Sequence, residues 1–201
     1  SIGSAHVSTR QNFQLHWDIL EDVSEIMRGL AEVGLTSREA CGNTVRTVMC
    51  SPLAGVCPDE IFDPTPYAFG VSKFLIRNPL NQSLPRKFKI NFTCCEKHGM
   101  ARIADIGLIP QKIEKDGKTL YGFKVFLGGG LGAQSFVGHQ FEDFTQEEDL
   151  LYTVISVIRI FDRLGNRENM ARNRMRYLVN EMGWEKFQNL VLKERAIVKS
   201  T

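Results

Sequence analysis

The chain changes its hydrophobic rhythm several times, and each change predicts an element. Residues 7–17 (VSTRQNFQLHW) alternate, with Gln11, Phe13, Leu15 and Trp17 on one side and Arg10, Asn12, Gln14 and His16 on the other. A period of two predicts a strand with one mostly apolar face. Residues 18–33 switch to helical spacing, with Ile19, Val23, Ile26, Leu30 and Val33 on one face, Asp18 placed to cap the start and Gly34 to stop the helix. Residues 41–66 are rich in Gly, Pro, Asn and Cys and predict irregular chain with one short strand, Val45–Met49. A helix is expected over Tyr67–Arg77. Strands are expected over Arg86–Thr93, Gly99–Leu108 and Leu120–Leu127, with Asp116-Gly117 as a hairpin turn before the last of them. The final third reads as helical. Thr145 and Glu148 form a capping-box pattern before the stripe Leu151, Ile155, Ile158 and Phe161. A second helix is expected from Asn166 or Asn169 to Met182, and a third over Trp184–Ala196. Strands first and helices last predict an α+β fold, a mixed β-sheet flanked by helices with a helical C-terminal third.

Composition narrows the class. The chain has 201 residues, 43% hydrophobic and 24% charged, with a formal net charge of +2. These are values of an ordinary globular chain. No run of about 18 apolar residues is present, so no membrane-spanning helix is expected. The small net charge argues against nucleic acid or another bulk polyanion as partner, and any anion site must be a local cluster. Five cysteines are an odd number, and the opening SIGSAHVSTR lacks a basic start and an apolar stretch. Both point to a reducing, cytoplasmic compartment. The chain opens without Met and close to a strand-like segment, as a piece of a longer protein would.

Several groups of residues could carry chemistry. Arg10, Asn12, Gln14 and His16 make a row without a carboxylate. It is either a water-facing strand edge or a set of donors for a carboxylate or phosphate. Lys87 and Lys89 share a strand face about 7 Å apart, either as lysines guarding a solvated edge or as a pair that needs an anion between them. Arg46 by itself reads as a surface residue. The cysteines, Cys41, Cys50, Cys57, Cys94 and Cys95, lack the paired short spacing of zinc arms, and neighbours such as Cys94 and Cys95 would point apart on a strand. No metal ligand is therefore expected. Gly128, Gly130 and Ala133 satisfy G-x-G-x-x-A after a strand, but no helical stripe opens there. A tight loop approaching a ligand or another chain segment fits better than a dinucleotide site.

Taken in order, the blocks are informative: Thr9-Arg10-Gln11 with Phe13-Gln14-Leu15-His16, Gly34-Leu35-Thr36, Asn43 with Arg46, Val48 and Cys50-Ser51-Pro52, Leu84-Pro85-Arg86-Lys87-Phe88-Lys89, Gly122-Phe123 through Gly132, and Gly165-Asn166-Arg167 with Ala171-Arg172. This set resembles the sirohaem-dependent nitrite and sulfite reductases, and within them the first of two pseudo-symmetric halves. The resemblance runs from about Ser8 to about Arg195. It implies the six-electron reduction of sulfite to sulfide or nitrite to ammonia, on sirohaem bridged to a [4Fe–4S] cluster, with ferredoxin or a flavoprotein as electron donor. By motif, Arg10, Asn12, Gln14, His16 and Arg86 would face the sirohaem, whose macrocycle carries eight carboxylates. Arg46, Lys87 and Lys89 would line the substrate pocket. The family's cluster cysteines follow C-x₅-C and C-x₃-C spacings that this chain lacks, so the cluster ligands are expected to be absent, in a missing C-terminal half.

The resemblance implies two parts: residues 1–42 as the C-terminal part of a ferredoxin-like half-domain, and residues 43–201 as the α/β domain that shapes the sirohaem pocket. The opening strand would then lack its neighbours, predicting self-association into a homo-oligomer through the exposed edge or a disordered N-terminus. The alternative is a non-catalytic half-module that only scaffolds the cluster-bearing half.

Overall fold

The alternation in the middle of the chain becomes a four-stranded sheet. A computed structural model describes residues 4–201. In it, β3 (Ile90–Phe92) lies parallel to β4 (Ile106–Lys115), which is antiparallel to β5 (Lys118–Leu127), which is antiparallel to β6 (His139–Gln146). The segment 45–49 runs beside β3 through bridges at Val45–Phe88 and Met49–Asn91. Asp116 and Gly117 close the β4–β5 hairpin with φ of 52° and 72°. Two successive positive φ values are the signature of the tight turn whose twist matches its strands.

One sheet face carries the core. Phe123, Val125 and Leu127 alternate along β5 and are buried with Ile106, Leu108 and Phe141. The opposite face holds a smaller cluster of Ala101, Ile109 and Phe126. Helices α2 (Thr65–Leu75), α3 (Leu150–Leu164), α4 (Met175–Met182) and α5 (Trp184–Ser200) supply the partners of the main core, with Val154, Val157, Ile158 and Phe161 from α3 and Phe187 and Val191 from α5. Fully burying one such side chain contributes about 1.5–3 kcal/mol. Arg195 of α5 reaches β6 as a two-pronged donor to Glu142, at 2.7 and 2.6 Å, a planar geometry that fixes orientation as well as position. The α+β class with a mixed sheet and a helical C-terminal third is the observed architecture.

Several elements depart from the sequence reading. The long opening strand is a hairpin, β1 (Ala5–Val7) antiparallel to β2 (Phe13–Leu15), with Arg10 in the turn. Gln11 takes a φ of 59° there, which breaks the alternation. The segment expected to be an unpaired edge therefore pairs within the chain; residues 1–3, the start of the expected disordered N-terminus, lie outside the described residues. A short 3-10 turn over Leu20–Asp22 precedes α1 (Val23–Glu32), so Asp18 is not its cap. The helix closes with Gly34 N–H to Ala31 O and Leu35 N–H to Leu30 O, the paired bonds of a terminated helix. Gly99–Ile103 is a 3-10 turn rather than the start of a strand, and β4 begins at Ile106. Thr145 lies in β6, donating its hydroxyl to Glu142, so the capping box does not form. The segment from Asn166 stays irregular until Met175, where α4 starts.

The 3-10 turn crosses directly over β4. A Cβ at Gly107 would stand 1.9 Å from the carbonyl oxygen of Ala101, an overlap that backbone cannot relieve by a rotamer change. Gly107→Ala is expected to destabilise the fold by about 3 kcal/mol or more in urea unfolding. Gly29→Ala in α1, where a Cβ meets nothing within 4 Å, should instead be neutral or stabilising by about 0.5–1 kcal/mol.

Candidate functional site

Arg10, Asn12, Gln14, Arg46, Lys87 and Lys89 line one cavity of about 290 Å³. Three separated segments deliver them: the β1–β2 turn and β2, the chain before the Val45–Met49 bridges, and the approach to β3. Arg10 is fixed by donating to Asn91 Oδ1 at 2.8 Å and to the Thr47 carbonyl at 2.7 Å. Its Nε is buried without an acceptor among the described residues. Asn12 accepts from the Thr47 hydroxyl at 2.8 Å and donates to the Arg10 carbonyl at 3.1 Å. Arg46 is braced by its own loop, donating through Nε to Gly42 O at 3.0 Å and through Nη1 to Ala40 O at 2.6 Å. A neighbouring cavity of about 230 Å³ shares Asn12, Ala40, Arg46 and Thr47 with the first.

Beneath the lysines sits Asp105, fully buried at the entry to β4. Its Oδ2 accepts from the Lys89 backbone N–H and from Arg174 Nη2, both at 2.8 Å. Burial pushes the Asp105 carboxyl upward, against the pull of Arg174. The cations feel burial and one another. Burial lowers the Arg10 guanidinium to about 10. The Lys89 ammonium is lowered to about 8, first by burial and then by Arg10 and Arg174. Lys87 is lowered by burial and by Arg174, Arg46 and Arg86. No salt bridge to Lys87 or Lys89 is formed among the described residues; the one acidic neighbour, Asp105, is already engaged by Arg174.

Two expected members stand apart. His16 is exposed and packs its ring against His6 across the hairpin, with centroids 6.3 Å apart. Arg86 is close enough to Lys87 to perturb it but does not line the cavity. Asp105 and Arg174 were missed. A single Asp between Ala and Ile and one Arg among four in residues 167–176 carry no spacing signal.

The glycine loop serves the fold. Gly128 N–H donates to Asp105 O and Gly130 N–H to Phe136 O, so these donors are used. Arg176 lies against Gly130, where a Cβ would come within 2.8 Å of its Nη1, and donates to Leu131 O at 3.1 Å. The loop thus accommodates another chain segment.

The cysteines overturn the expectation that this chain holds no metal-ligating set. β3 ends at Phe92, and the chain bends at Cys94 and Cys95, so their thiols do not point apart as strand neighbours would. Cys57, Cys94, Cys95 and His98 have their ligand atoms within 4.8 Å of one another. Alternation applied to a segment that had already left the sheet hid this group.

Known proteins place the chain. The family described as "Nitrite and sulphite reductase 4Fe-4S domain" matches residues 41–199, and the "Nitrite/Sulfite reductase ferredoxin-like half domain" matches residues 1–33. The assimilatory ferredoxin-dependent nitrite reductase of Haloferax mediterranei is 37% identical over 196 residues, covering 96% of this chain and 33% of that protein. Sulfite reductase [ferredoxin] 1 of Mycolicibacterium paratuberculosis is 32% identical over 193 residues, covering 95% and 34%. The solved structure of Mycobacterium tuberculosis NirA superimposes with a TM-score of 0.86 at 31% identity, covering 96% of this chain and 34% of NirA. The chain therefore spans about a third of the length of these relatives.

Lys89 supplies a test of the site's electrostatics. A base whose folded pKa is depressed carries a charge-burial penalty that is complete below the folded value. Between about 8 and the ordinary 10.5 the unfolded chain binds more protons, so stability rises with pH and the penalty disappears above that window. Lys89→Gln is expected to raise the melting temperature at pH 7, by roughly 2–4 °C for each kcal/mol recovered. The gain should shrink to nothing by about pH 10.5, as thermal melts across pH will check.

With two family matches in chain order, relatives at 32–37% identity and the NirA backbone in agreement, the chain belongs to the nitrite and sulphite reductase family.

Proposed function

We propose that this chain is the cluster-distal half-module of a reductase that converts nitrite to ammonia or sulfite to sulfide, and that it supplies cationic groups to sirohaem and to the oxyanion. The observation that carries the reading is the cavity where Arg10, Asn12, Gln14, Arg46, Lys87 and Lys89 meet. Residues 43–201 would form the pocket domain. Residues 1–42 would be part of a ferredoxin-like half-domain completed by chain from elsewhere. The exposure of Phe13 (65%) and Trp17 (77%) is in keeping with a partner for that part, as is a two-stranded sheet with open edges. A missing half of the same protein is the preferred partner, with a second copy as the other way to cover the edge. The names of the relatives support ferredoxin over a flavoprotein as donor.

The residues suit a polycarboxylated ligand. The buried Nε of Arg10 has no acceptor among the described residues, and the lysines face no unpaired acid. Arg10, Asn12 and Gln14 would hold peripheral carboxylates; the guanidinium is the better fork for a planar anion. When bound, sirohaem would supply the iron at which the oxyanion is reduced. Beyond its bonds to Ala40, Gly42 and the Cys41 thiol, Arg46 has two further N–H groups with which it can orient the anion. Burial holds the Lys89 ammonium down to about 8, so it would be able to release a proton near neutral pH as an oxygen departs, with Lys87 holding charge beside it. A reducing, cytoplasmic compartment is the reading that the unpaired thiols suit. No helix among the described residues is long and apolar enough to cross a membrane.

A scaffold reading has its own support, since Arg10 and Arg46 already bond main-chain carbonyls. Titration of the apoprotein with sirohaem separates the two. The pocket reading expects a shifted Soret band and a loss of about 10- to 100-fold in affinity for Arg10→Ala, the worth of one charge-assisted hydrogen bond. An unshifted Soret band would leave only the scaffold.

A further inference from the structure

The cluster of Cys57, Cys94, Cys95 and His98 lies apart from the cationic cavity, and none of its members lines that cavity. Cys94 and Cys95 are buried, and Cys57 and His98 are half-buried. Cys57 Sγ stands 3.8 Å from Cys95 Sγ and 4.0 Å from His98 Nε2. A tetrahedral zinc ion with Zn–S near 2.3 Å and Zn–N near 2.0 Å sets its ligand atoms about 3.6–3.8 Å apart. The two printed Cys57 separations are within a few tenths of an ångström of that spacing, and the widest separation in the group, at most 4.8 Å, closes on one ion with side-chain shifts of about an ångström. A cubane is larger. Four irons stand between its cysteine sulfurs and hold them well beyond the separation that one shared ion allows. The four ligand atoms here, all within 4.8 Å, do not fit the cluster that gives the family its description.

We propose that Cys57, Cys94, Cys95 and His98 bind a single structural zinc ion through three thiolates and the His98 Nε2. Three sulfurs and one imidazole form a closed four-ligand set, leaving no position for substrate, and thiolates favour a soft divalent ion over a hard one. The net charge of such a centre is negative, and Lys97 lies between its ligands in sequence, paired to Asp59 at 2.6 Å.

The ion has a mechanical task. Cys57 belongs to the long irregular stretch between Met49 and α2, which holds itself by local turns: Ala54 N–H to Ser51 O, Val56 N–H to Leu53 O and Glu60 N–H to Cys57 O. Cys94, Cys95 and His98 belong to the crossover between β3 and β4. The Lys97–Asp59 pair that also joins the two segments is exposed, and such pairs contribute little. One ion would staple the stretch to the sheet. The same stretch begins at Cys50, whose carbonyl accepts from Gln11 of the β1–β2 turn at 2.8 Å. This inference does not depend on sirohaem binding.

The test is the metal content of the full chain, purified under reducing conditions without added metal. Elemental mass spectrometry is expected to find about one zinc per chain. Cys57→Ser should lower it at least tenfold after dialysis against a chelator, while Cys41→Ser, at an exposed thiol outside the group, should not. Because a thiol variant could misfold, His98→Ala and cobalt substitution of the unaltered chain supply a second readout. Cobalt should give the intense visible bands of a tetrahedral thiolate centre, altered in His98→Ala. Iron and acid-labile sulfide that vanish in Cys57→Ser would overturn the proposal in favour of an iron–sulfur cluster. Zinc unchanged by Cys57→Ser, absence of any bound metal, or a Cys57–Cys95 disulfide in its place would overturn it as well.

Discussion

The site depends on one buried carboxylate. Asp105 ties together three stretches of chain: its side chain accepts from the Lys89 backbone and from Arg174, and its carbonyl accepts from Gly128. Removing it would leave Arg174 buried without its counter-charge, which costs about 3–5 kcal/mol in comparable cases. Its charge also partly offsets the penalty on Arg10, Lys87 and Lys89, yet burial prevails at each of them. The result is a wall of cations with a single acid behind it that is already engaged. Such a wall is unfavourable by itself, and an entering anion would relieve it, as in an electrostatically preorganised site.

The opening hairpin shows why the cavity and the N-terminal segment belong together. Its contacts with the main body include the Arg10 bonds to Asn91 and Thr47, the Thr47 bond to Asn12, and the Gln11 bond to Cys50. Polar bonds of this kind each contribute about 1 kcal/mol net. Meanwhile Val7, Phe13 and Trp17 stay exposed. Hydrogen bonds hold the hairpin against the main body, while these apolar side chains gain little burial among the described residues.

Sequence legibility followed local physics. The β4–β5 hairpin was readable because Asp116-Gly117 permits two positive φ values, and α3 because Leu151, Ile155, Ile158 and Phe161 repeat at helical spacing. β6 was hidden because, in its eight residues, Phe141 is the one buried apolar side chain and the T-x-x-E pattern at its end imitates a helix start. Motif resemblance singled out the candidate site residues, since alternation alone left a solvated edge equally open; six of them share one cavity. His16 lies outside the cavity because β2 ends at Leu15 and the chain turns at Trp17 with a φ of 61°. Arg86 lies in a bend ahead of β3, where alternation does not fix its side, and it does not line the cavity. The thiol group and the Asp105–Arg174 pair join residues distant in sequence, and only the folded chain brings them together.

The most direct measurement is the titration of the Lys87 and Lys89 side chains by NMR, with the lysine Cε and Nζ as probes, before and after a polycarboxylated porphyrinoid is added. The account expects Lys89 to ionise near 8 in the free protein and to shift upward by at least one unit when the ligand's carboxylates fill the cavity, because an opposite charge favours the ammonium form. A Lys89 that titrates near 10.5 in the free protein and does not respond to the ligand would contradict the claim that these cations converge, half-buried and unpaired, to receive an anion.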